Sequence, residues 1–194
     1  MPDLAAFDAR TTAVVLIDVQ HGTLAMPLAP YDGATIVANA AQLATRAQAA
    51  GATLVLVRVA FAGNYADRLQ QPVDVPLAVP PGGLPPGWSD LAPPLAALTP
   101  DVAITKRQWS AFHGTELDLQ LRRRGIARVV LGGLMTNFGV ESTARDAYQH
   151  NYAVIVAEDA CASFAADMHR FAIEKTLPRV SLVRSTEQIV AALR

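Results

Sequence analysis

The sequence has a single cysteine, Cys161, in 194 residues, so no intramolecular disulfide can staple the chain. No apolar run approaches the roughly 20 residues that a membrane-spanning helix needs. The opening stretch, MPDLAAFDAR, carries Asp3 and Asp8 and has no continuous apolar core, which argues against a secretory signal. Neither sign of charge is in excess. The net charge is −1, and the one dense basic run is Arg122-Arg123-Arg124. That run ends an expected helix, where it complements the negative end of the helix dipole. Nucleic acid is therefore not an expected partner, because phosphate contacts need a basic surface. Charged residues are only 17% of the chain against 52% hydrophobic, which argues against disorder. His21, His113, His150 and His169 are scattered, so no metal cluster is expected. No internal repeat is present. The expectation is one domain over 1–194, soluble and cytoplasmic, that meets a small molecule and neither nucleic acid nor membrane.

What is present alternates between buried strands and amphipathic helices. Thr12 to Ile17 is an almost wholly apolar run, as in a strand covered on both faces, and Asp18 follows it. Gly22 to Pro30 reads as a loop. Asp32 caps a helix over Gly33 to Ala50, with Ile36, Val37, Ala40, Leu43 and Ala47 on its apolar positions, and Gly51 ends it. Thr53 to Val57 is the second strand, with Arg58 at its end. Phe61 to Pro100 holds most of the prolines and reads as a lid or binding loop rather than a linker, since no second domain follows. Val102 to Thr105 is a third strand ending at Lys106. A helix from Thr115 to Gly125, the strand Val129 to Leu131, a helix from Gly139, a strand from Tyr152 to Ala157, a helix from Asp167 to Leu177, a strand from Arg179 to Val183 and a helix from Ser185 to Leu193 complete the pattern.

Such alternation predicts βαβ units and a parallel sheet with helices on both faces. Ligands in these sheets bind beyond the carboxyl ends of the strands. That rule selects Asp18, Arg58, Lys106, the Gly133–Gly139 turn and Glu158–Cys161. The turn stands out. In RVVLGGLMTNFGVESTARDAYQH, three glycines break a strand just before a helix begins, and such a turn presents N–H groups to a carboxylate or an oxyanion. Helix capping accounts for Thr136 and Asn137 but not for the glycines. Asp18 is costly at the end of a buried strand unless paired or solvated in a cleft, and Lys106 at the end of a neighbouring strand is a natural partner.

These segments resemble the isochorismatase-like hydrolases, also called cysteine hydrolases. The resemblance rests on Asp18-Val19-Gln20, on Lys106 ahead of Trp109-Ser110-Ala111-Phe112 with Gly114, Thr115 and Leu117, and on Gly133, Thr136, Asn137, Val140, Thr143 and Ala144. It implies a three-layer αβα sandwich around a six-stranded parallel sheet. It implies a non-proline cis peptide between Leu134 and Met135, and a homo-oligomer, dimer or tetramer, with 61–100 as lid and contact loop. It makes Asp18 and Lys106 two members of a catalytic triad. The third, the nucleophilic cysteine, falls on Gly139. Gln20, Arg58, Trp109, Phe112, Met135, Thr136, Asn137 and Phe138 are the expected substrate contacts. Cys161 lies after the fifth strand and is expected to be inert.

With Gly139, no thiolate can form a covalent intermediate at that position. Isochorismatases proper, which also carry glycine there, imply a route in which the Asp supplies a proton and water attacks. The expected activity is cysteine-independent hydrolysis of a small carboxylated molecule by Asp18 and Lys106, without cofactor or metal. The alternative is a binding protein that kept the pocket and lost the nucleophile. A dinucleotide-dependent oxidoreductase is disfavoured, because no G-x-G-x-x-G follows the first strand.

Overall fold

A computed structural model describes residues 4–76 and 79–194. Six strands form one parallel sheet in the order β3-β2-β1-β4-β5-β6. In chain order the elements are β1 (Thr12–Ile17), α1 (His21–Leu24), α2 (Gly33–Ala50), β2 (Thr53–Val59), α3 (Pro93–Ala96), β3 (Val102–Lys106), α4 (Leu117–Arg123), β4 (Arg128–Leu134), α5 (Glu141–Gln149), β5 (Ala153–Ala162), α6 (Ala166–Phe171), β6 (Leu182–Arg184) and α7 (Thr186–Ala192). All six residues of β1 are buried, because the strand is central and covered on both faces.

The two faces carry separate cores. On one, Val14, Leu16, Leu54, Leu56 and Val130 meet α2 and α7 through Ile36, Ala40, Leu43 and Ile189. On the other, Val15, Ile17, Val57, Ile104 and Leu131 meet α4 and α5 through Leu117, Leu121, Ala144 and Ala147. The alternation of side chains along each strand assigns the two sets. The result is the three-layer α/β architecture read from the sequence. Helix ends follow local chemistry. Asp32 Oδ1 accepts from the Thr35 N–H at 2.8 Å, and Gly51 closes α2 in the left-handed region, φ 76°. Ser185 and Gln188 form a reciprocal capping box on α7.

Several boundaries differ from the sequence reading. The loop after β1 winds into α1, and the Pro-rich segment contains α3 with proline in its first turn. β5 runs on to Ala162, so Glu158, Asp159 and Cys161 lie within it and not beyond its end. Its pairing with β4 is irregular between Leu131 and Gly133, which absorbs the extra residues. The helix expected from Asp167 to Leu177 is α6 followed by a π turn, Ala172–Thr176, and a 3-10 turn, Leu177–Arg179. The last strand accordingly starts later, at Leu182. No helix among the described residues is long and apolar enough to cross a membrane.

Candidate active site

β1 ends where Asp18 takes φ 54°, an uncommon conformation for a non-glycine residue. Two bonds hold it there. Its N–H donates to the Val57 carbonyl at 2.9 Å, and the Thr23 hydroxyl donates to its carbonyl oxygen. The side chain meets Lys106, the last residue of β3. Lys106 Nζ donates to Asp18 Oδ2 at 2.6 Å and to the Gln108 carbonyl at 3.0 Å. Both side chains are sealed, Lys106 2% and Asp18 7% exposed. Asp18 Oδ1 is buried without a hydrogen-bond partner among the described residues. Burial pushes the Asp18 carboxyl up to about 6, against the opposing pull of the Lys106 ammonium.

Gly139 completes the group. A Cβ built on it lies 3.6 Å from Asp18 Oδ2. It also lies 2.8 Å from the Leu134 carbonyl oxygen, closer than a real side chain tolerates. The turn is therefore drawn in around a residue without a side chain. Gly133 is stricter still: at φ 117° its added Cβ would lie 1.9 Å from the Ile17 carbonyl oxygen, so only glycine lets β4 approach β1 there. Between them the Leu134–Met135 peptide is cis.

The helix begins earlier than the sequence suggested. Thr136–Val140 is one π turn that runs directly into α5. The Phe138 and Val140 N–H groups both donate to the Met135 carbonyl, at 3.0 and 3.2 Å. Those two amides are spent inside the turn and are not oxyanion donors. Side chains tie the turn from outside. The Thr143 hydroxyl donates to the Gly139 carbonyl at 2.7 Å, and the Ser163 hydroxyl donates to Asn137 Oδ1. The Thr136 hydroxyl lies 2.8 Å from His169 Nδ1.

The other expected contacts divide. Trp109 and Phe138 pack edge to face at 5.0 Å, and Phe138 meets Phe164 at 5.8 Å, giving a partly exposed aromatic row beside Gly139. Met135 and Thr136 are buried in the turn. Gln20 is wholly buried, and its amide is used internally. Oε1 accepts from the Val59 N–H at 2.9 Å, and Nε2 donates to the Val59 and Trp88 carbonyls. It clamps the Pro-rich loop to the sheet rather than facing a ligand.

Two expected contacts lie elsewhere. Arg58 is within β2 and exposed, with Nε donating to Thr105 Oγ1 at 3.2 Å. Strand alternation places both on the sheet face opposite Lys106. Phe112 packs on His150 and Tyr152, where α5 ends and β5 begins. It is drawn there because Ser110 donates to Asp146 and the Ala111 N–H donates to Thr143 Oγ1, which lays the segment along α5. Sequence reasoning missed Thr23, Ser163, Phe164 and His169. Ser163, Phe164 and His169 carry no local signal, since each acts through a partner distant in sequence; Thr23 is the exception, its hydroxyl donating to the nearby Asp18 and Gln20 carbonyls. Cys161 is fully buried, and burial pushes its thiol far up. No group of three or more potential metal ligands occurs among the described residues.

The isochorismatase domain model matches residues 12–188. The chain belongs to the isochorismatase family of hydrolases. It is 45% identical over 186 residues to the uncharacterised isochorismatase family protein YecD of Escherichia coli O157:H7, covering 96% of this chain and 98% of that protein. It is 32% identical over 193 residues to a ureidoacrylate amidohydrolase, RutB, of Methylorubrum extorquens, covering 82% of this chain and 73% of the relative. The solved structure of an isochorismatase family protein from Burkholderia thailandensis superimposes with a TM-score of 0.89 at 42% identity, over 94% of this chain and 95% of that one.

Proposed function

We propose that this protein hydrolyses a small molecule without a cysteine nucleophile, using Asp18 as the proton carrier and Lys106 to hold and polarise it. The observation that carries this reading is the sealed Asp18–Lys106 pair, 2.6 Å apart, lying against a glycine where the resemblance places a thiol. A carboxyl pushed up to about 6 exchanges a proton near neutral pH, as acid–base catalysis requires. In the simplest scheme a water gives one proton to Asp18 while its oxygen adds to the electrophilic carbon. The bond from that carbon to the leaving atom then breaks, and Asp18 returns the proton to the leaving atom. Asp18 Oδ1, buried without a hydrogen-bond partner among the described residues, would be the acceptor for that water's proton.

Asn137, Phe138, Trp109 and Phe164 form the rim on which the rest of the substrate would lie. Arg170 and Lys175 line an open groove of about 550 Å³ beside Asn137, together with Asp167, Glu174, Met168 and Phe171, but that lining does not include Asp18 or Lys106. The amidohydrolase name of one relative makes ureido and amide compounds a reasonable class to try beside isochorismate. The test is a substrate screen read by mass spectrometry with isochorismate, amides and ureido compounds. Turnover that Asp18→Asn abolishes supports the reading. Turnover that survives Asp18→Asn overturns it.

The second reading, a binding protein without turnover, is favoured by one observation. The Asp18 and Lys106 side chains are only 7% and 2% exposed, which leaves a water little access to the proton carrier. A thermal shift from a compound that is never consumed would support it.

A further inference from the structure

We infer that His169 is a positioning residue: its neutral imidazole latches the π turn that carries Gly139 through the Thr136 hydroxyl, and protonation of the ring releases the latch. The inference takes from the proposed function only that this turn borders the site.

The geometry is buried and specific. His169, on α6, is 4% exposed, and Thr136, the first residue of the turn, is fully buried. Thr136 Oγ1 and His169 Nδ1 are 2.8 Å apart. The other ring nitrogen, Nε2, faces Glu158 Oε2 of β5 at 4.0 Å. The same carboxylate oxygen accepts from the Tyr31 hydroxyl at 3.0 Å, and the Tyr31 ring stands edge-on to the imidazole at 5.8 Å. These are the groups that face the ring: Thr136 from the turn, Glu158 from β5 and Tyr31 from the segment ahead of α2. Asp167 and Arg170 of its own helix line the outer groove.

A neutral imidazole has one donor nitrogen and one acceptor nitrogen. With a carboxylate opposite Nε2, the proton belongs on Nε2, and Nδ1 accepts the Thr136 hydroxyl. Burial favours this neutral form, holding the ring well below its usual range, at about 4. A proton added at Nδ1 makes both nitrogens donors. The Thr136 hydroxyl then loses its acceptor. Of the three side-chain ties on this turn, Thr136–His169, Asn137–Ser163 and Gly139–Thr143, only the first contains a group that titrates.

Nuclear magnetic resonance tests this without any substrate. Long-range proton–nitrogen spectra of histidine-labelled protein should show His169 as the Nε2–H tautomer at pH 7.5. Amide hydrogen exchange at the same pH should be at least tenfold faster over 136–140 in both Thr136→Val and His169→Phe, with β1 amides unchanged. The double variant should be no faster than either single one, because both break the same bond. An Nδ1–H tautomer overturns the inference. So does exchange that rises equally in β1, or local effects that add in the double variant. These outcomes do not depend on turnover, so a failed hydrolase assay leaves them to be judged separately.

Discussion

Lys106 Nζ lies 2.6 Å from Asp18 Oδ2, while Asp18 Oδ1, equally buried, has no partner among the described residues. The carboxylate is thus half satisfied. A buried ion pair that existed for stability alone would be expected to bond its remaining oxygen.

Removing the ammonium should be costly where Asp18 is ionised. Lys106→Met leaves the Asp18 carboxylate buried without its counter-charge, and at pH 8 the loss should be about 3–5 kcal/mol by urea unfolding. Adding Asp18→Asn should restore most of it while activity stays absent. A single Lys106→Met variant as stable as the parent at pH 8 would mean that water reaches Asp18 freely.

Stability between pH 4 and 6.5 should reflect opposed groups, Asp18 and Glu158, both raised by burial, on one side and His169 on the other. Asp18, raised to about 6, keeps its proton in the folded state where the unfolded chain has lost it, so its contribution falls as pH rises through that window. His169, lowered to about 4, stays neutral when folded while the unfolded chain binds a proton, so its contribution falls as pH drops from 6.5. Relative to the parent, Asp18→Asn should tilt stability upward with rising pH, and His169→Phe should tilt it downward. The same slope in all three proteins would refute both assignments.

Gly139→Cys should fold with a loss of about 1–3 kcal/mol, because the Leu134 carbonyl must move to admit the Cβ. The introduced thiol, near Lys106, should be alkylated by iodoacetamide at neutral pH much faster than the buried Cys161. A folded variant whose new thiol reacts no faster than a free cysteine would show that the pair does not act on position 139.

Gln20→Leu should unfasten the Pro-rich loop. It strands the part-buried Val59 N–H and removes a link to Trp88, for a loss of about 1–2 kcal/mol. Limited proteolysis should then cut faster between residues 61 and 87, with cleavage elsewhere unchanged. Unaltered digestion would assign the loop's position to its other bonds, such as Gly22 to Trp88 and Ala92 to Val19.

Association is expected in solution, with a dimeric or tetrameric mass by light scattering at micromolar concentration. Leu69, Val73 and Val75 in the Pro-rich loop and Trp109, Phe164 and Phe171 near the site are all exposed apolar side chains. A monomeric mass would contradict it.

The layers follow from the order of residues alone. Runs such as Thr12–Ile17 are apolar on both faces, and that demands a central strand covered by helices, whatever the rest of the chain does. Asp32, Gly51 and Ser185 marked helix ends because capping is local chemistry. Asp18 and Lys106 were legible as a pair because both end parallel strands, and all such ends gather at one edge. The remainder came from packing in three dimensions. Arg58 left the site because one residue of strand parity separates the two faces of a sheet. Phe112 left it because the hydroxyls of Ser110 and Thr143 tether its segment along α5. His169 joined Thr136 across 33 residues of sequence, by a contact that no spacing announces. The closure of Leu134 on Gly139 depends on the path of one carbonyl, which packing sets and composition does not record.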